Sequence, residues 1–148
     1  MKKIINYKYY KKISIVLILV SAMTPLNLFA EANYFKEGKK LFDSKSFERS
    51  KFKFEQDIVF NPKNENSYLY LAKIYLKEDN DELQEKNLNT VVLLNPKNEE
   101  AIYMLTLLNI KKSNFSKAED LIINFTDVCK KLCASKKNLK EKLKNSLN

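Results

Sequence analysis

The chain has 148 residues with 27 Lys+Arg against 18 Asp+Glu, a formal charge of +9, and contains one Gly, three Pro, two Cys, no His and no Trp. The lack of His excludes Ser-His-Asp and Cys-His nucleophilic sites and every His-bearing zinc site, and a single Gly excludes the Gly-rich loops that cradle nucleotide phosphates. So few turn formers speak against an all-β chain of tight hairpins, and the length suits one domain or a short repeat array.

The first predicted element is an export segment. Residues 1–12 carry Lys2, Lys3, Lys8, Lys11 and Lys12 and no acid. An apolar run from Ile13 to Val20 follows, interrupted only by Ser14, and Thr24, Pro25 and Asn27 end it. Ala30-Glu31-Ala32 then places small residues at −3 and −1 of a cut after Ala32; a cut after Ala30 is the next choice. That order is a secretory signal peptide over 1–32, which makes the mature chain exported and periplasmic. The apolar core is shorter than the ~20 residues of a membrane span, so no stable membrane insertion is expected after cleavage. An uncleaved signal anchoring the chain in the inner membrane is the alternative.

The charge is uneven along the chain. Residues 1–30 contribute +5, residues 31–129 contribute −2 and residues 130–148 contribute +6. Only Arg49 is arginine, whereas readers of phosphate and guanine use the bidentate guanidinium. A nucleic-acid partner is therefore not expected.

The middle of the chain repeats. Asn-Pro-Lys-Asn occurs at 61–64 and again at 95–98, a separation of 34. In 65–78 the apolar residues Tyr68, Leu69, Leu71, Ala72, Tyr75 and Leu76 follow the i, i+3, i+4, i+7 spacing of an amphipathic helix. In 99–111 they are nearly continuous, which predicts a helix covered on both sides. Asn61 and Asn95 precede Pro and should each end a helix. Ser113 and Ser116 are expected as turn and N-cap residues around Phe115.

With units at 31–64, 65–98 and 99–130, this pattern resembles the tetratricopeptide repeat (TPR), a 34-residue helix-turn-helix unit. Its large early residue is matched by Tyr34, Tyr68 and Ile102, its small residue by Gly38, Ala72 and Thr106, and its closing Pro by Pro62 and Pro96. Where the second helix crosses the first, the small residue is Ser50 and Ala118, but Gln84 in unit two; a one-residue shift placing Leu83 there would restore the packing. Glu37 departs from the Leu matched by Leu71 and Leu105. The resemblance implies an all-α, right-handed α-solenoid of about three units over 33–130. It further implies a concave groove lined by first helices: Phe35, Lys39 and Phe42, then Leu69, Tyr70, Lys73, Leu76 and Lys77, then Tyr103, Leu107 and Ile110.

Residues 131–148 read as a Lys-rich capping helix with Leu139, Leu143 and Leu147 on one stripe and Ser135 as its N-cap. A basic helix lying on an anionic membrane is the sharper alternative. Cys129 and Cys133 are the only Cys; in an exported chain they read as a disulfide if they straddle a turn. Free thiols, or a soft-metal or redox pair, stay open.

The carboxylates at 78–82 and 99–100 read as solvated, with no catalytic constellation, cofactor site or metal site, so no enzyme is expected. The expected function is a non-catalytic protein–protein interaction scaffold of the bacterial envelope, holding another protein's peptide or helix in the groove. The alternatives are a self-assembling structural subunit, or thiol and soft-metal handling through Cys129 and Cys133. The sequence leaves the oligomeric state open.

Overall fold

The computed structural model describes residues 33–147; the expected signal peptide lies outside the described residues. These residues form α1 (Tyr34–Asp43), α2 (Phe47–Phe60), α3 (Glu65–Lys77), α4 (Asp81–Leu94), α5 (Glu99–Lys111), α6 (Phe115–Val128) and α7 (Ser135–Ser146), with no strand among them. Consecutive helices pair as α1/α2, α3/α4 and α5/α6; α2 packs on α3, α4 packs on α5, and α7 closes the end against α5 and α6. The result is a helix-turn-helix solenoid.

Asparagine starts the helices. Asn33, Asn64, Asn80 and Asn98 cap α1, α3, α4 and α5, their side chains accepting from Lys36, Asn66, Leu83 and Ala101 N–H, which satisfies amide donors that the first turn leaves orphaned. At α6 the N-cap is Asn114, and Ser116 lies inside the helix, correcting the expected cap. Ser135 is the first residue of α7 and Ala134 its N-cap, again one residue from expectation.

The turn inside each unit has one geometry. Lys45, Asp79 and Ser113, spaced 34 apart, take φ of 62°, 53° and 59°. In each case that residue's N–H and the next donate back into the helix: Lys45 to Phe42 O and Ser46 to Leu41 O, then Asp79 to Leu76 O and Asn80 to Tyr75 O, then Ser113 to Ile110 O and Asn114 to Asn109 O. This is the Schellman arrangement, whose left-handed position favours glycine. Substituting glycine relieves the side-chain strain but loosens the unfolded chain. We expect Lys45→Gly and Ser113→Gly each to raise stability by about 0.5–1 kcal/mol, seen as a higher thermal midpoint; a lower midpoint would contradict the turn assignment.

Acidic residues tie the unit joints. Asp57 accepts from Asn61 Nδ2 at 3.1 Å, Asn64 Nδ2 at 2.6 Å and Ser67 Oγ at 2.5 Å. Glu65 Oε1 accepts from Asn95 and Asn98 Nδ2 at 2.6 and 3.4 Å. The repeated Asn-Pro-Lys-Asn therefore closes two joints through its asparagines. One repeat further on, Glu99 takes the backbone N–H groups of Lys130, Lys131 and Leu132. Those bonds, from Lys130 first, hold its carboxyl below the usual carboxylate range. Stability from this latch is complete above the ordinary glutamate value and fades as pH falls through the lowered one. The 99–100 carboxylates are thus engaged rather than simply solvated: Glu100 pairs with Lys73 at 2.8 Å.

The seams between units repeat with swapped charge. Lys51 of α2 pairs with Glu78 at 2.8 Å across the first seam, and Glu85 of α4 pairs with Lys112 across the second. Each partner lies 34 residues from its counterpart, so the two stacking steps share one geometry.

The middle-unit crossing differs from expectation. Gln84 itself occupies it and is 2% exposed, while Leu83 is half-buried against the Phe54, Leu71, Ile74 and Tyr75 cluster. The helix does not shift register because the Asn80 cap pins its start. Along α5, Ala101, Ile102, Met104, Leu105, Leu108 and Ile110 are all buried, as their near-continuous pattern requires of an internal layer. Leu139 and Leu143 of α7 are buried among residues of α5 and α6, whereas Leu147, expected on the same stripe, follows the last helical residue and is exposed.

Candidate partner-binding face

The first helices of successive units touch through their side chains. The rings of Phe35 and Phe42 from α1 meet Tyr70 of α3 edge-on, with centroids 5.8 and 5.0 Å apart. Lys73 of α3 lies over the Tyr70 ring at 4.8 Å and reaches Glu100 of α5. Edge-to-face rings and a cation above a ring are favourable electrostatic contacts, and together they make α1, α3 and α5 one continuous face. Phe35, Phe42, Tyr70, Tyr103 and Leu107 are half-buried on it, and Leu76 is 52% exposed.

Two of the expected groove residues are not brought there. Leu69 is buried with Ala101, Met104 and Leu105 of α5, and Ile110 is buried with residues of α6 and α7. Each points toward the neighbouring layer, so their apolar surface belongs to the core.

The lysines on this face are mostly engaged. Lys39 pairs with Asp43 at 2.7 Å, a bond that raises its pKa and keeps it charged. Lys73 has Glu100. Lys77 lies over the Phe47 ring at 5.0 Å. Lys111, which the sequence reading did not single out, bridges to Asp79 and Asp81 at 2.7 and 2.8 Å, Asp79 giving the larger upward shift of its pKa. Exposed pairs of this kind contribute little stability; here they neutralise the face. It offers aromatic and aliphatic surface more than free positive charge.

Between the ends of α3 and α5 the face deepens into an apolar pocket of about 120 Å³, lined by Leu76, Gln84, Met104, Leu107, Leu108 and Lys111. Met104 and Gln84 were absent from the expected groove. For Gln84 the departure from a small residue at the crossing was the available signal; for Met104 there was none, because it lies within an unbroken apolar run. Cys129 and Cys133 lie between α6 and α7 with Cα atoms 5.2 Å apart and their sulfurs placed for bonding. Their segment is the one whose amides Glu99 binds.

Among solved structures the chain is similar to the first TPR of Spaghetti (RPAP3) bound to an HSP90 peptide, at 13% identity and a TM-score of 0.69, over 78% of this chain and 91% of that one. It is similar to the Yersinia enterocolitica type III secretion chaperone SycD in complex with a peptide of the translocator YopD, at 11% identity and 0.66, over 77% and 89%. The Sgt2 TPR domain from Aspergillus fumigatus gives 14% identity and 0.60, over 77% and 74%. No family model and no curated protein matches the chain. The fold is that of tetratricopeptide repeats, with three helix pairs and a terminal helix among the described residues.

Proposed function

We propose that this TPR-fold chain is a non-catalytic interaction scaffold of the bacterial cell envelope, holding a peptide or helix of another protein against the face of α1, α3 and α5. The observation that carries this reading is the continuous aromatic and aliphatic surface of Phe35, Phe42, Tyr70, Leu76, Tyr103 and Leu107, open beside a pocket of the same character. Exposed apolar surface of this kind, rimmed by polar groups, marks interaction sites. The solved relatives RPAP3 and SycD hold peptides of other proteins, which supports the same use here.

The envelope location rests on the basic, apolar and small-residue order of residues 1–32. A Cys129–Cys133 disulfide belongs to the same reading, since an oxidising compartment would bond cysteines placed this close. Counting alkylated thiols in the exported chain with and without reductant checks it; two reactive thiols without reductant would remove the bond.

The face is tested by a photo-crosslinking residue at Leu107, compared with one at Leu93, which is 81% exposed on α4. The expected result is a discrete partner segment captured from Leu107 and not from Leu93. Equal capture from both positions would overturn the reading.

A further inference from the structure

A groove of about 380 Å³ runs between α6 and α7. Ile122 and Leu143 are buried at its floor, and Ile123 and Leu147 stand 62% and 56% exposed beside them. Large apolar side chains left open along one cleft mark a contact surface.

Charge divides the two banks. On α6, Glu119, Ile123 and Asp127 follow one another at every fourth residue with Asp120 beside them, and all four are exposed. On α7, Lys140, Lys144 and Leu147 share one face by the same spacing and are exposed as well. The seams between units have their charges paired. Among the described residues, none of Glu119, Asp120, Asp127, Lys140 and Lys144 has an ionic partner.

We propose that this groove docks a second copy of the chain in a two-fold dimer. An isologous interface needs a surface that complements itself, and an acidic bank beside a basic one does. A two-fold axis along the groove lays α6 of each copy over α7 of the other. The acidic row then meets the lysine row twice, and Ile123 and Leu147 leave water. The same two rows disfavour other occupants, because like charges brought together are costly. An anionic bilayer or acidic helix that suits Lys140 and Lys144 meets Glu119, Asp120 and Asp127, and a basic segment meets the lysines.

The 14 and 12 residues of α6 and α7 make helices roughly 20 Å long, so side by side they present about 400 Å² per copy. That is the low end of specific interfaces, which makes the dimer reversible. The groove takes no residue from α1, α3 or α5, so the dimer carries two inner faces and can hold two partner segments at once.

Sedimentation velocity of the full chain from about 10 μM to 1 mM, the range of weak interfaces of this size, is expected to show a monomer passing into a dimer. Lys140→Glu with Lys144→Glu should give a monomer where the unaltered chain is dimeric, and so should Glu119→Lys with Asp127→Lys. Mixed in equal amounts, these two variants should dimerise again, since both acidic rows of one then meet both basic rows of the other. The proposal is overturned by a monomer throughout, by a dimer that survives either pair of substitutions, or by variants that stay monomeric when mixed. It is equally overturned if a photo-crosslinking residue at Ile123 captures another protein and no second copy, or if the chain adsorbs to phosphatidylglycerol vesicles and loses this with Lys140→Glu and Lys144→Glu. If either variant folds poorly, the oligomeric state of the unaltered chain and the Ile123 crosslink decide by themselves. No partner segment enters these measurements, so their failure is distinct from failure of the inner-face reading.

Discussion

Phe54→Ala is expected to lower the unfolding free energy by about 3–5 kcal/mol, the largest loss of any single truncation considered. Phe54 is fully buried. Its ring lies 5.8 Å from that of Phe35 in α1 and stacks at 5.0 Å on Tyr70 of α3. One side chain of α2 therefore joins both helices of unit one to the first helix of unit two. The cavity left behind would lie between rigid rings that cannot collapse onto it, which places the cost toward the high end.

The same site explains the chain's single glycine. A Cβ on Gly38 would lie 2.8 Å from Phe54 Cε1 and 2.9 Å from Cδ1, and the ring is held by Tyr70 stacked on it and by Phe35 tilted against it. Gly38→Ala gains about 1 kcal/mol of helix propensity but meets an overpacking cost of about 1–3 kcal/mol, so a net loss is expected. In units two and three the same two positions hold Ala72 with Leu88 and Thr106 with Ile122. A smaller ridge residue accompanies the larger partner. Gly38→Ala combined with Phe54→Leu should accordingly fall short of the summed single losses by about 1 kcal/mol. Urea unfolding of the four proteins of this cycle and of Phe54→Ala measures both effects; additive losses, or a Phe54→Ala loss below about 1 kcal/mol, would contradict the packing described.

What the sequence disclosed follows from how local each signal is. The 34-residue recurrence of Asn-Pro-Lys-Asn marked the unit joints because proline constrains its predecessor, and α2 and α4 do end before Asn61 and Asn95. The near-continuous apolar run of 99–111 announced a helix packed on both sides. The turns were harder to read. Lys45, Asp79 and Ser113 adopt a backbone that glycine usually marks, and none of them is glycine. The roles of Glu65 and Glu99 at the later joints are set by groups about 30 residues away, beyond any local pattern. Leu69 and Ile110 carry the helical spacing of face residues, but the adjoining layers cover them. Spacing places a side chain on a side of a helix; which neighbour covers that side is a tertiary fact.

The second large effect concerns binding. Leu76 is the most exposed apolar residue of the inner face, at 52%, and it lines the mouth of the pocket. A carboxylate there remains hydrated in the free chain, so Leu76→Glu should leave stability within about 0.5 kcal/mol. In a complex that carboxylate would be stripped of water against apolar surface, a cost of a few kcal/mol or more. Loss of tenfold or more in affinity is expected, since about 1.4 kcal/mol is a factor of ten. Leu93→Glu on α4 is the matched control, because Leu93 is exposed and lies off the face.

The most direct test is therefore the dissociation constant of the partner segment captured at Leu107, measured by titration calorimetry for the unaltered chain, Leu76→Glu and Leu93→Glu. The inner-face account predicts at least tenfold weaker binding for Leu76→Glu and unchanged binding for Leu93→Glu. Unchanged binding by Leu76→Glu, or an equal loss from Leu93→Glu, would contradict it.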